Sequence, residues 1–130
     1  MNIESLIHNT TALRHGIDNT PPEAALNMLH ILMHHVLEPI QDIADKPLRI
    51  VSGYRSVALN RLMEGRKHSH HIIGCAADIS LGNRRDNRRL YRRITTMLRD
   101  KQLRCSEVAI EPESRWIHVA YVPSMLPPRA

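Results

Sequence analysis

Residues 68–80 read His68-Ser69-His70-His71-Ile72-Ile73-Gly74-Cys75-Ala76-Ala77-Asp78-Ile79-Ser80, and the fold is decided here. Ala76 to Ser80 reads as a short strand, stopped by Gly82-Asn83. Side chains alternate along a strand, so Asp78 shares a face with Ala76 and Ser80, while Ala77, Ile79 and Leu81 take the other, apolar face. A carboxylate between two small residues has room around it, and a loop rich in imidazole leads into it.

Three further strands can be read outward from this one. Pro47 to Ser52 is a short strand closed by Gly53. Glu107 to Glu111 and Trp116 to Val122 alternate and are joined by Pro112-Glu113-Ser114-Arg115, the pattern of an antiparallel hairpin. Between the strands lie a short helix from Ser56 to Met63 and a basic helix from Asp86 to Asp100, whose buried stripe is Leu90, Ile94, Met97 and Leu98. Upstream, Asn19-Thr20-Pro21-Pro22-Glu23 reads as a helix start with Thr20 as N-cap. Ala25, Leu29, Leu32, Val36, Leu37 and Ile40 then make one apolar face to pack against the sheet. Pro39 should kink or end that helix. Helices before and among a small, mainly antiparallel sheet give an α+β fold. One domain is expected over residues 1–122, with a disordered Pro-rich tail over 123–130.

Composition sets the bounds. The chain has 130 residues, one Trp, three Tyr and no Phe, so aliphatic residues must build the core. A domain of this size buries roughly two thirds of its unfolded surface, so any metal is expected to serve function rather than folding. No stretch of eighteen apolar residues occurs, and no membrane span is expected. Cys75 and Cys105 are too few for a disulfide framework and form no Cys-x-x-Cys pair; each reads as a buried thiol. A net charge of +5 favours polyanionic surroundings such as nucleic acid or bacterial wall polymers. The pairs Arg84-Arg85, Arg88-Arg89 and Arg92-Arg93 read as a solvated helix face. A nucleic-acid stripe would carry stacking aromatics and only Tyr91 is near, so no nucleic-acid partner is expected. Residues 1–30 show no secretory signal. The protein is therefore expected in the cytoplasm as made, unless lysis releases it or a phage particle carries it.

Alternation in Trp116-Ile117-His118-Val119-Ala120-Tyr121 sends His118 away from the apolar face. His71 on the entering loop, Asp78 on its strand and His118 on a neighbouring strand then form a three-ligand site with a fourth position open, the arrangement a catalytic zinc requires. The plainer alternative is a satisfied polar cluster at a sheet edge. A four-residue hairpin loop opposes Ala109 to His118 and makes Glu111 a diagonal neighbour, placed to accept a proton from water or to orient a ligand from behind. Arg55 follows the turn at Gly53 and suits a substrate carboxylate or an oxyanion. Ser69 is placed to hydrogen-bond a ligand or the substrate. His30 and His34 share a helix face without a third ligand and read as plain helix histidines, as His68 and His70 read as solvated loop residues.

Ser52-Gly53-Tyr54-Arg55-Ser56, then Ser69-x-His71-x-x-Gly74-x-Ala76-x-Asp78-Ile79, then Trp116-Ile117-His118-Val119 together resemble the zinc D-alanyl-D-alanine carboxypeptidase family of peptidoglycan peptidases. These have the hedgehog/DD-peptidase fold, and the likeness is to the short single-domain subgroup of bacteria and their phages, over residues 10–122. The resemblance implies one zinc on His71, Asp78 and His118, a substrate or transition-state Arg at Arg55, and Ser69 beside the first ligand. Many members place an acidic catalytic base three residues before the last ligand, where this chain has Arg115. The short subgroup has a Glu at the end of the preceding strand, which matches Glu111.

The resulting expectation is a zinc peptidase cleaving D-amino-acid-containing bonds of peptidoglycan or muropeptides, as carboxypeptidase or endopeptidase. The alternative, prompted by Arg115, is a non-catalytic zinc-containing wall-binding or virion module on the same fold.

Overall fold

The strand at residues 76–80 and the hairpin read over 107–122 meet in a single antiparallel sheet. The computed structural model, which describes residues 1–126, builds it from β1 (Arg49–Ser52), β2 (Ala76–Ser80), β3 (Glu107–Ile110) and β4 (Ile117–Ala120). The order is β1-β2-β4-β3 with every pairing antiparallel. β2 is central, and all five of its residues are buried. Ala77 and Ile79 of β2, with Ile117 and Val119 of β4, face the hydrophobic core. Asp78 and His118 take the other face, as the alternation requires.

Helices cover the apolar face. α1 (Thr10–Arg14) precedes α2 (Glu23–Leu32), one π turn (Met33–Leu37) and α3 (Glu38–Ile43). Leu29, Leu32, Val36, Leu37 and Ile40 are fully buried along this run, each worth about 1.5–3 kcal/mol of burial. Pro39 neither ends the helix nor breaks it. A proline has no N–H for the carbonyl four residues back and its ring crowds that carbonyl, so the turn before it widens, with Glu38 N–H donating to the Met33 carbonyl. The expected Thr20 cap is not made: Pro22 occupies the cap position without a side-chain bond, while Thr20 N–H donates to Asp18 Oδ1.

The two later helices start on side-chain caps. Ser56 Oγ accepts from Leu59 N–H at the start of α4 (Val57–Leu62), and Asn83 Oδ1 accepts from Asp86 N–H at the start of α5 (Arg84–Arg99). Leu90 and Ile94 of α5 are buried in the core, whereas Met97 and Leu98 are only partly buried at its edge. An N-terminal 3-10 turn, Ile3–Leu6, had no signature in the sequence. It buries Leu6 against the sheet, and the Leu6 carbonyl accepts Tyr54 N–H at 2.7 Å. A Cβ on Gly53 would lie 2.2 Å from that carbonyl oxygen, so glycine is the residue that lets the segment pass. Pro123–Met125 form a 3-10 turn and Leu126 packs on the core; the rest of the tail expected over 123–130 lies outside the described residues. Among the described residues no helix is long and apolar enough to cross a membrane.

Buried Asn87 joins α5 to the sheet. Its Oδ1 accepts Leu81 N–H at 2.7 Å, and its Nδ2 donates to Ser80 Oγ and to the Ser114 and Arg115 carbonyls at 2.9–3.1 Å. Asn87→Ala strands several of these groups at about 1–3 kcal/mol each before relaxation and water entry. The expected loss is about 3 kcal/mol, read as a lower urea midpoint with an unchanged slope; a change below about 0.5 kcal/mol would contradict the anchoring role.

Candidate metal centre

The register places Ser52 opposite Asp78, Asp78 opposite His118, and His118 opposite Ala109, so these four residues form one rung across all four strands. Small neighbours, Ala76, Ala109 and Ala120, leave the two functional side chains room to meet. Asp78 Oδ1 lies 2.9 Å from His118 Nδ1, and Asp78 Oδ2 lies 3.5 Å from His71 Nε2. One potential ligand atom from each of His71, Asp78 and His118 falls within 4.8 Å of the other two. No other such group of three His, Cys, Asp or Glu residues occurs among the described residues.

His71 reaches this point from a loop whose backbone is tied on both sides. Its carbonyl accepts Arg55 N–H at 3.2 Å, and the His70 carbonyl accepts Cys75 N–H at 3.0 Å. Gly74 has φ +76°, and a Cβ there would meet the Ala25 carbonyl oxygen of α2 at 2.3 Å; only glycine fits such a turn so close to a helix. His71 Nδ1 lies 2.8 Å from the Gly53 carbonyl oxygen. A carbonyl only accepts, so Nδ1 carries a proton, while Nε2 faces Asp78. Burial alone would raise the Asp78 pKa, but hydrogen bonds from His118 and His71 outweigh it and hold the carboxyl at about 2. Asp78 is thus ionised at neutral pH. Two imidazoles and one carboxylate converging on one point, with space left beside them, fit the donor set of zinc with an open position.

Arg55 lines the same cleft. Its Nε donates to Ser52 Oγ at 3.0 Å, its Nη1 donates to Asn60 Oδ1 at 3.1 Å, and its Nη2 stands 3.8 Å from Asp78 Oδ2. Asn60 is buried and is itself fixed through the Arg66 carbonyl. Burial pulls the Arg55 pKa down and the Asp78 charge pushes it back up. Ser69 Oγ accepts His71 N–H at 3.2 Å, pinning the turn that carries His71. The cleft encloses about 850 Å³ and is walled by the loop of residues 64–71 on one side and by Glu107, Ala109, Trp116 and His118 on the other.

Glu111 departs from its expected place. The register is the one read from the loop length, with Ala109 opposite His118, but the carboxylate turns away from the cleft. Its Oε1 accepts N–H from Glu113 and Arg115 at 3.0 Å each, and its Oε2 accepts Arg115 Nη2 at 2.7 Å. These bonds, led by the Arg115 side chain, lower its pKa to about 2. Glu107 stands in the cleft instead: its Oε2 is 3.9 Å from His118 Nε2 and its Oε1 pairs with His70 Nδ1. Glu107 shares its strand face with Ala109 and Glu111 and is the other diagonal neighbour of His118, so parity along β3 was the signal that could have found it. Nothing in the sequence marked Asn60.

The helix histidines His30, His34 and His35 and both thiols lie outside the centre. His34 pairs with Glu38 and stacks on His30, while His35 stacks on Tyr121. Both cysteines are free, and burial raises the pKa of each thiol. Arg84, Arg93 and Arg99 of α5 pair with Glu113, Asp45 and Asp100 on the surface.

No curated protein and no solved structure matches the chain in the comparisons made. The family model for Peptidase M15 matches residues 1–120, a span that holds the whole rung, Arg55, Glu107 and Glu111, and the chain belongs to the Peptidase M15 family.

Proposed function

We propose that this chain is a zinc peptidase that hydrolyses D-amino-acid-containing peptide bonds of peptidoglycan or its fragments. The observation that carries the reading is the convergence of His71, Asp78 and His118 in an open cleft beside a half-buried arginine. His71, Asp78 and His118 would hold the metal, and zinc so held supplies Lewis-acid polarisation of a scissile carbonyl. Arg55, braced by Ser52 and Asn60, presents its guanidinium to a substrate carboxylate or to the oxygen that gains charge as the carbonyl is attacked. Ser69 stands beside His71 and keeps its loop in place for an incoming peptide. Glu111 would take the proton of the attacking water and hand it to the leaving amine once its carboxylate exchanges Arg115 for the cleft. Carboxypeptidase and endopeptidase action differ in whether Arg55 meets a terminal carboxylate.

A second reading has one specific observation in its favour. Arg115 and two loop N–H groups hold Glu111 outside the cleft, which suits a wall-binding or virion module that keeps the metal without turnover.

Purified protein is expected to contain one zinc per chain, and His118→Ala to lose stoichiometric zinc; a variant that keeps both zinc and activity would remove the basis of the assignment. Incubation of the zinc-loaded protein with purified peptidoglycan is expected to release new amino groups. Glu111→Gln should lower that release by about 10²- to 10⁴-fold, while zinc content stays unchanged. A zinc-loaded wild-type chain that binds peptidoglycan and releases nothing would establish the second reading instead.

A further inference from the structure

Each of the two candidate ligand histidines has one nitrogen toward Asp78 and one turned outward, and the two outward nitrogens are treated differently. His71 is buried, sits on a loop tied to Arg55, and has its outward Nδ1 fixed at 2.8 Å by the Gly53 carbonyl. His118 is half-buried on a strand, with Ala109 and Ala120 as small neighbours on its face. Asp78 Oδ1 holds its inward Nδ1 at 2.9 Å, and those neighbours leave its outward edge open to the cleft. The acceptor facing its outward Nε2 is Glu107 Oε2, at 3.9 Å. Glu107 is steered in turn. Its other oxygen pairs with His70 Nδ1, and His70 adjoins His71 in a backbone turn closed by Cys75 N–H.

We propose that Glu107, steered by His70, is a positioning residue that sets the ring orientation and tautomer of His118, so that Nδ1 faces the metal position. With a cation held between Nδ1 and Asp78, the Nδ1 lone pair would turn to the cation and the ring proton would lie on Nε2, where Glu107 Oε2 is the facing acceptor. This gives His70 a role besides loop solvation. It also separates Glu107 from Glu111: Glu107 orients a ligand, and Glu111 belongs to the hydrolytic step. The inference rests on the zinc reading above.

Zinc dissociation constants measured by competition with a chromophoric chelator test it without recourse to turnover. Glu107→Ala is expected to weaken zinc binding by about 10- to 100-fold. Glu107→Gln, which keeps an acceptor oxygen, should recover part of that loss, and His70→Ala should weaken binding in the same direction by less. Glu113→Gln, at an exposed carboxylate of the neighbouring loop, should bind zinc as the wild type does. A wild-type dissociation constant in Glu107→Ala would overturn the proposal while leaving the peptidase reading intact. If Glu107→Ala does not fold, unchanged zinc affinity in both Glu107→Gln and His70→Ala overturns it equally. A wild-type chain that binds no zinc overturns the peptidase reading itself, and is told apart from the other failures because no variant is needed to see it.

Discussion

The pairing of Asp78 with His118 across β2 and β4 is the contact on which the rest of the structure depends. Side chains alternate with period two, so a one-residue slip of either strand would send one partner into the aliphatic core and bring an Ile or Val into the cleft. The hydrophobic helices therefore do more than hold the sheet. By burying Ala77, Ile79, Ile117 and Val119 against Leu29, Val36 and Ile40, they select the single register in which the carboxylate and the imidazole meet. Core packing and the chemistry of the cleft are two faces of the same alternation.

The parts that were legible in the sequence are those governed by short-range periodicity. β2 has the bounds its alternation implied, and the hairpin loop set the Ala109–His118 pairing. His71 and His118, far apart in the chain, could be joined to Asp78 from the loop that enters its strand and from the matching face of a neighbouring strand. What escaped depends on where flexible side chains finally go. Register fixes the Cβ of Glu111, but a neighbouring guanidinium and two loop N–H groups are stronger partners than open solvent, and they decided its direction. The N-terminal turn escaped for another reason: Leu6 is held by a backbone contact to Tyr54, and a main-chain hydrogen bond leaves no mark on residue type. Gly53, which permits that approach, reads in the sequence as a strand end and a turn toward Arg55, with no sign of the segment passing over it.

Basic charge is distributed very unevenly. α5 carries seven Arg against one Asp, a local charge of +6, while the whole chain is +5, so everything outside the helix sums to −1. Arg84/Arg88, Arg85/Arg89, Arg88/Arg92 and Arg89/Arg93 are like-charge pairs one turn apart, each costing roughly 0.2–0.5 kcal/mol. Intrinsic helix preference does not make up for this alone. Burial of Leu90 and Ile94, and the four contacts of Asn87, keep the helix folded in spite of its surface.

Cys75 is buried and Cys105 partly so, both apart from His71, Asp78 and His118, and the absence of sulfur from that group bears on durability. A donor set of two imidazoles and a carboxylate contains no sulfur for peroxide or disulfide exchange to consume. Thiolate centres lose a metal when their ligands are oxidised; His71, Asp78 and His118 have no thiol to lose. The cleft is chemically suited to surroundings rich in oxidants, with no reductant needed to keep these three side chains intact.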